Sequence, residues 1–393
     1  MTLHSRSRHI LGLLMALACL AGCATPGGEP PSETRPTGDA FQHGVAALTN
    51  GAYDQAITYF TEALKRDPRS VEALQNRGEA YRRKGEYDRA LADYTQALTI
   101  NPNYAPAYYN RGIVYSNKGA YDEAIADYTQ ALTLNQQFTE AFVNRGIAYD
   151  RGKRDYDRAI ADYNQALMLE PNRADAYMNR GIAYKNKRDY ERAIADFTQA
   201  ITLNPTYAAA YVNRGIVYDD TDNLDRAIAD YDQALTLHAS FPEAYVNRGA
   251  AYHRKGSYDR AIADFTQALT LNPNLAPAYY NRGTSYQRQG DPRRAIEDFT
   301  QAITLNPRYV AAYDDRGRAY SDQGDYGRAI EDFTQALTLN PNYALASYHR
   351  AVAWYFQKNY SKAWADVDRF RQAGGRPDRQ FLKDLSRASG RQR

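Results

Sequence analysis

Across 393 residues, 49 Lys and Arg stand against 46 Asp and Glu, a formal net charge of +3 at pH 7. That balance argues against a nucleic-acid binder, because phosphate recognition normally shows as a strong basic excess on one face. The cysteines, Cys19 and Cys23, lie within the first 23 residues, which excludes a disulfide framework or a thiolate metal site downstream of them.

Residues 1–22 have the layout of a secretory signal peptide. Basic residues (Arg6 and Arg8, with His4 and His9) precede an apolar run, Ile10 to Leu20, and then small residues. The run falls short of the ~20 residues that cross a bilayer as a stable helix, so cleavage is expected. Leu20-Ala21-Gly22-Cys23 resembles the lipobox of bacterial lipoproteins at every position. The resemblance implies cleavage before Cys23 and its diacylation; an ordinary signal peptide with an incidental cysteine is the alternative. In a host with an outer membrane, the sorting behaviour of such lipoproteins implies that Ala24, which is not an aspartate, directs the chain there, facing the periplasm. Residues 23–40 are rich in Pro, Gly and polar residues without apolar periodicity and read as a lipidated disordered tether. It would reach roughly 20 Å as a coil and about 50 Å extended.

From residue 41 to about 370 one pattern recurs about every 34 residues. In the unit 71–104 it runs Gly78, Tyr81, Ala90, Tyr94, Ala97, Pro102. The frame repeats through Gly112, Gly181, Gly249, Gly283 and Gly317 with their followers. Small residues suit a close crossing of two helices, and Tyr81 and Tyr94 would fill the gaps beside it. Ala90, Leu91, Tyr94, Ala97 and Leu98 share one side of the second helix. Gly85 suits a left-handed cap and Pro102 a stop. A lone unit leaves an apolar face uncovered, so stacking must supply stability. These residues and spacings resemble the tetratricopeptide repeat. The resemblance implies an all-α, right-handed superhelical solenoid of about ten repeats over 41–370, nine well formed and a degenerate tenth at 344–370, with a concave and a convex face.

Departures mark where the stack should be irregular. Gln136 and Ala239 replace the terminal proline, one extra residue falls near Gly152 to Arg154, and Asp222 and Asn223 occupy a glycine turn. Residues 371–393 read as a capping helix and basic tail, Pro377 to Ala388 placing Phe381, Leu382 and Leu385 on one side.

Two further residues recur. Arg77, Arg111, Arg145, Arg180, Arg214, Arg248, Arg282, Arg316 and Arg350 precede the glycine position. Asp93, Asp127, Asp162, Asp196, Asp230, Asp264, Asp298, Asp332 and Asp366 follow in the same order in the second helix of each unit. The first unit lacks both, with His43 and Tyr59 instead. Joint presence and absence predict an ion pair bridging the two helices of each repeat, structural rather than ligand-binding. Next to these arginines stand Asn76, Asn110, Asn144, Asn179, Asn213, Asn247 and Asn281. In the tetratricopeptide family this position faces the concave groove, and the row resembles asparagine ladders that grip an extended peptide by its main chain. A carboxamide both donates and accepts, so it suits that task whatever the peptide's side chains. Duplication of near-verbatim units (DYTQALT, DFTQALT) would also carry an asparagine along without selection for binding. Tyr109, Val143, Met178, Val212, Val246 and Tyr280, one residue earlier, and Ile113, Ile147, Ile182 and Ile216, three later, are expected to make the groove apolar between its rungs. Gln42, Asp315 and His349 end the ladder.

No catalytic constellation is found. The six histidines are scattered with no HExxH, and the Asp219, Asp220, Asp222, Asn223, Asp225 cluster lacks the glycine and glutamate of a calcium loop and reads as a solvated turn. No catalytic residue, metal or cofactor is expected. The favoured function is a cell-envelope scaffold, anchored to the membrane through Cys23, that binds envelope proteins or peptides in its groove. The alternative is an assembly factor for envelope polysaccharide or peptidoglycan whose groove tyrosines stack on sugars.

Overall fold

The computed structural model describes residues 38–391. The signal peptide, the lipidation site at Cys23 and the tether as far as residue 37 lie outside the described residues, as do residues 392–393; residues 38–40, expected to be tether, instead begin the first helix, where Ala40 is buried against the next repeat. Ten antiparallel helix pairs follow one another: α1 Gly38–Thr49 and α2 Tyr53–Arg66; α3 Val71–Lys84 and α4 Tyr87–Ile100; α5 Ala105–Asn117 and α6 Tyr121–Leu134; α7 Thr139–Ala148 and α8 Tyr156–Leu169; α9 Ala174–Asn186 and α10 Tyr190–Leu203. The array continues with α11 Ala208–Asp220 and α12 Leu224–Leu237; α13 Pro242–Arg254 and α14 Tyr258–Leu271; α15 Ala276–Arg288 and α16 Pro292–Leu305; α17 Val310–Asp322 and α18 Tyr326–Leu339; α19 Ala344–Phe356 and α20 Tyr360–Gln372; a last helix, α21 Arg379–Ser389, closes it. The described residues contain no strand, and none of their helices is long and apolar enough to cross a membrane.

The glycine in the middle of the first helix of repeats one to nine is there for want of space. A Cβ on Gly78 would lie 2.7 Å from Cε1 of Tyr94, and one on Gly215 would lie 2.7 Å from Cε1 of Tyr231. The two helices of a repeat therefore cross with the aromatic ring of the second pressed on the bare backbone of the first. Gly85 closes α3 in the left-handed conformation expected of it, at φ +81°. Asp222 takes the same conformation at φ +63°, as do Arg154, Arg188 and Lys358, so the turn tolerates other residues at some conformational cost. The second helices end in a device that the proline alone does not account for: Asn101 Oδ1 accepts from the Asn103 backbone N–H at 3.0 Å, and Asn135, Asn204, Asn272, Asn306 and Asn340 do likewise.

The extra residue of the fourth repeat is absorbed in a π-helical turn, Tyr149–Lys153, continuous with α7. The tenth repeat, degenerate in sequence, is a regular helix pair. Cap helix α21 buries Leu382 and Leu385 against Trp364 and Val367, with Phe381 partly buried beside them.

Stacking decides which helices are available. Each second helix packs on the first helix of the next repeat, and successive first helices also touch one another from α1 to α7 and again from α9 to α19. No two second helices touch to that extent, so the stack is tighter on the first-helix side and the solenoid curves with the first helices inside.

Candidate functional site

The inner face is held in place by a clamp that each repeat from the second to the tenth carries. Arg180 Nε donates to Asp196 Oδ2 and Nη2 to Oδ1, both at 2.8 Å, bridging α9 and α10. The same two-pronged bond joins Arg77 to Asp93, Arg111 to Asp127, Arg145 to Asp162, Arg214 to Asp230, Arg248 to Asp264, Arg282 to Asp298, Arg316 to Asp332 and Arg350 to Asp366. The hydrogen bonds that Arg180 donates to Asp196 raise the pKa of its guanidinium, fixing its charge. The third nitrogen reaches further than the sequence indicated. Arg77 Nη1 donates to Thr61 Oγ1 of the preceding repeat at 3.2 Å, and Arg180 Nη1 to Asn164 Oδ1 at 2.6 Å. Each clamp thus ties a repeat internally and also to its predecessor, and it engages all three guanidinium nitrogens in bonds within the stack.

The adjoining asparagines lie one helical step from the seam, half-buried in all seven repeats. Their amides fall into two classes. Asn76 Nδ2 donates to the Glu72 carbonyl, Asn144 Nδ2 to the Tyr109 hydroxyl and Asn213 Nδ2 to the Ala209 carbonyl, each at 2.9 Å; Asn213 Oδ1 also accepts from Lys185 Nζ at 2.9 Å. Asn110, Asn179, Asn247 and Asn281 make no side-chain hydrogen bond within the described residues. Four amides therefore meet solvent with both donor and acceptor unpaired.

The expected apolar lining requires correction. Val143, Met178, Val212 and Val246 are only 4%, 6%, 5% and 9% exposed. Each fills the seam between the aromatic ring of its own second helix and an alanine of the next first helix, as Val143 does between Tyr163 and Ala176. One step along a helix turns a side chain by about 100°, enough to move it from the open face to the core. Tyr109 and Tyr280 are half-buried. Their rings lie 4.6 Å from Phe138 and 4.9 Å from Tyr309, and the Tyr280 hydroxyl donates to Asp315 at 2.7 Å. Ile113, Ile147, Ile182 and Ile216 are only partly buried, and these supply the apolar surface between rungs.

Charged groups near the inner ends of the first helices were missed by sequence reasoning, because they pair across repeats. Asn186 donates to Asp150 at 3.1 Å, and Arg254 donates to Asp219 at 2.7 Å and Asp222 at 2.6 Å. The Asp219–Asp225 cluster is thus an ion-paired turn, with Lys255 on Asp225, rather than a merely solvated one. Burial holds the Lys185 ammonium below the ordinary lysine range. In the ninth repeat Asp315 accepts from Tyr280 and from Arg318 Nη1 at 2.8 Å, and burial pushes its carboxyl up. In the tenth, His349 Nδ1 lies 2.9 Å from Asp314. Among the described residues no group of three or more His, Cys, Asp or Glu is placed to hold a metal ion.

Models of the tetratricopeptide repeat match residues 41–105, 105–138, 174–207, 276–309 and 315–377, and a model of the TPR repeat matches 153–188, 220–256 and 251–290. No curated protein matches the sequence. Among solved structures, a tetratricopeptide repeat protein from Parabacteroides merdae is similar over 63% of this chain and 98% of its own, with 23% identity and a TM-score of 0.52. Pseudomonas aeruginosa PilF is similar over 56% of this chain and 97% of its own, with 17% identity and a TM-score of 0.49. YrrB, described as a TPR protein with an unusual peptide-binding site, is similar over 47% of this chain and 95% of its own, with 25% identity and a TM-score of 0.40.

Proposed function

The chain belongs to the tetratricopeptide repeat family, a family of protein–protein interaction scaffolds, and from that premise we propose a cell-envelope lipoprotein that holds extended peptide segments of other proteins along its inner face. The observation that carries this reading is the row of unpaired amides at Asn110, Asn179, Asn247 and Asn281. A peptide main chain running along the first helices would offer each amide a carbonyl and an N–H. Each bond made would contribute about 0.5–1.5 kcal/mol, so several together offset the ordering of a flexible segment. Grip through the main chain is broad, and selectivity falls to the half-open isoleucines and to the charged groups around Lys185 and Asp219. The glycan alternative is less favoured, because the tyrosine rings it relies on are packed against neighbouring aromatic rings.

The membrane link is part of the proposal. A diacylated Cys23 would tether the solenoid to the membrane, the outer one facing the periplasm where the host has one, and the partners would be other envelope proteins. Intact-mass spectrometry of the chain expressed in a lipoprotein-processing bacterium tests this. A mass fitting residues 23–393 plus acyl chains is expected, and an unmodified Cys23 or an uncleaved leader would remove the anchor from the account. For the groove, peptides selected from a random library on the immobilised chain should lose affinity when the unpaired asparagines become alanine; selection of glycans and no peptide would favour the other reading.

A further inference from the structure

The charge of this chain is unevenly placed. Residues 369–391 contain seven Lys and Arg against two Asp, although the whole chain has 49 against 46; the rest of the molecule therefore has slightly more acid than base. The two acids in the segment are both occupied. Asp378 caps α21, its Oδ1 accepting from the Phe381 backbone N–H at 2.8 Å, and Asp384 accepts from Gln380 at 3.0 Å. Neither neutralises a cation.

Four of the seven cations line one cleft between the end of α20 and the start of α21. Arg371, Arg376, Arg379 and Lys383 surround a space of about 750 Å³ floored by Leu382, Gly375 and Pro377, with no carboxylate in the lining. Elsewhere the structure matches most of its cations to partners. Here Arg371 has a single distant contact, 3.7 Å to Asp368, and Arg376, Arg379 and Lys383 have no hydrogen bond or ion pair among the described residues. The backbone between them is set by packing. Gly374 turns at φ +84°, a Cβ on Gly375 would fall 2.3 Å from the Phe370 ring, and the Asp378 N–H donates to the Tyr348 hydroxyl at 3.3 Å. Like charges are thus gathered by a turn whose geometry answers to other contacts.

We propose that this cleft is a binding site for a phosphate-bearing anion, either a free diphosphate or phosphomonoester or the headgroup of an anionic lipid. A carboxylate is a poor match in number of oxygens: in the nine clamps a single arginine takes up both oxygens of one aspartate. Three guanidinium forks and an ammonium around one space call for more acceptor oxygens and more than one negative charge, which phosphate groups supply. The apolar side of α21 is spent on the repeat stack, so the surface would engage a membrane by charge and not by insertion. This site is separate from the inner face and does not depend on the peptide reading.

Two arms of one experiment distinguish the sources, both on the full chain with Cys23→Ser so that no acyl chain contributes. In the first, pyrophosphate is titrated calorimetrically; in the second, co-sedimentation is measured with vesicles of phosphatidylcholine alone and with phosphatidylglycerol added. Both are repeated with Arg379→Gln combined with Lys383→Gln, two exposed positions whose replacement should leave helicity and melting unchanged. Saturable binding of pyrophosphate that falls at least tenfold in the variant supports a soluble ligand. Binding only to phosphatidylglycerol vesicles, lost in the variant, supports the lipid. Either should weaken as salt rises from about 20 to about 200 mM, because the cations are exposed. No binding in either arm, or binding that the variant retains, overturns the proposal.

Discussion

Repeats two to eight and the last two repeats share the same clamp and differ at the residue beside it. In the former that residue is asparagine, and in four of the seven its amide is unpaired. In the latter Asp315 is taken by Tyr280 and Arg318, and His349 lies against Asp314. Since Arg316–Asp332 and Arg350–Asp366 have the same geometry as Arg180–Asp196, the difference is not one of stability. Position on the inner face is set by the clamp, and availability for a partner is set by the bonds the side chain already makes, to a neighbouring repeat at Asn144, Asn213, Asp315 and His349 and to its own helix backbone at Asn76.

The comparison can be broken first at its common element. Arg180→Ala and Arg350→Ala each leave a buried aspartate without its partner, at an expected cost of about 3–5 kcal/mol. Chemical denaturation followed by circular dichroism should show comparable losses in the two regions; a harmless Arg350→Ala would mean that the clamps are unequal. Gly215→Ala pushes a methyl group into the Tyr231 ring and should cost about 1–3 kcal/mol by the same measurement.

At the residue beside the clamp the effects fall on binding. Asp315→Asn turns the charge-assisted bond to Tyr280 into a neutral one, at about 1 kcal/mol of stability, and adds an amide to the row. Tyr280 would still hold that amide, as Tyr109 holds Asn144, so peptide affinity should change little in fluorescence anisotropy, whereas Asp315→Asn combined with Tyr280→Phe should tighten peptides long enough to reach the ninth repeat by a few-fold. A smaller effect is expected of Asn213→Ala. Its amide is already engaged by Ala209 and Lys185, so its loss should alter peptide affinity by less than the loss of Asn179.

Much of this was legible in the chain itself, for identifiable reasons. The clamp could be read because Arg and Asp are present or absent together, His43 and Tyr59 being the joint exception. Its third contact, to Thr61 or Asn164, could not, since that residue belongs to the preceding repeat. The extra residue near Gly152 was evident from spacing, whereas its form as a π-turn was not. Val143 and its equivalents were misplaced because one helical step separates the open face from the seam, and spacing alone does not say how far the neighbouring repeat closes over it. Which positions of the row are engaged was not legible either: Tyr109 meets Asn144 and Tyr280 meets Asp315 from 35 residues away, and Asn76 and Asn213 turn back on carbonyls of their own helices although the same register in other repeats does not.

The most direct test of the inner face sets its two classes of amide against each other. One variant replaces Asn179, Asn247 and Asn281 with alanine, and another replaces Asn76, Asn144 and Asn213; peptide dissociation constants are measured for both beside the native chain. The account predicts that the first weakens binding by about 2–4 kcal/mol with melting unchanged, and that the second weakens it far less. Equal losses, or a larger loss in the second variant, would contradict it.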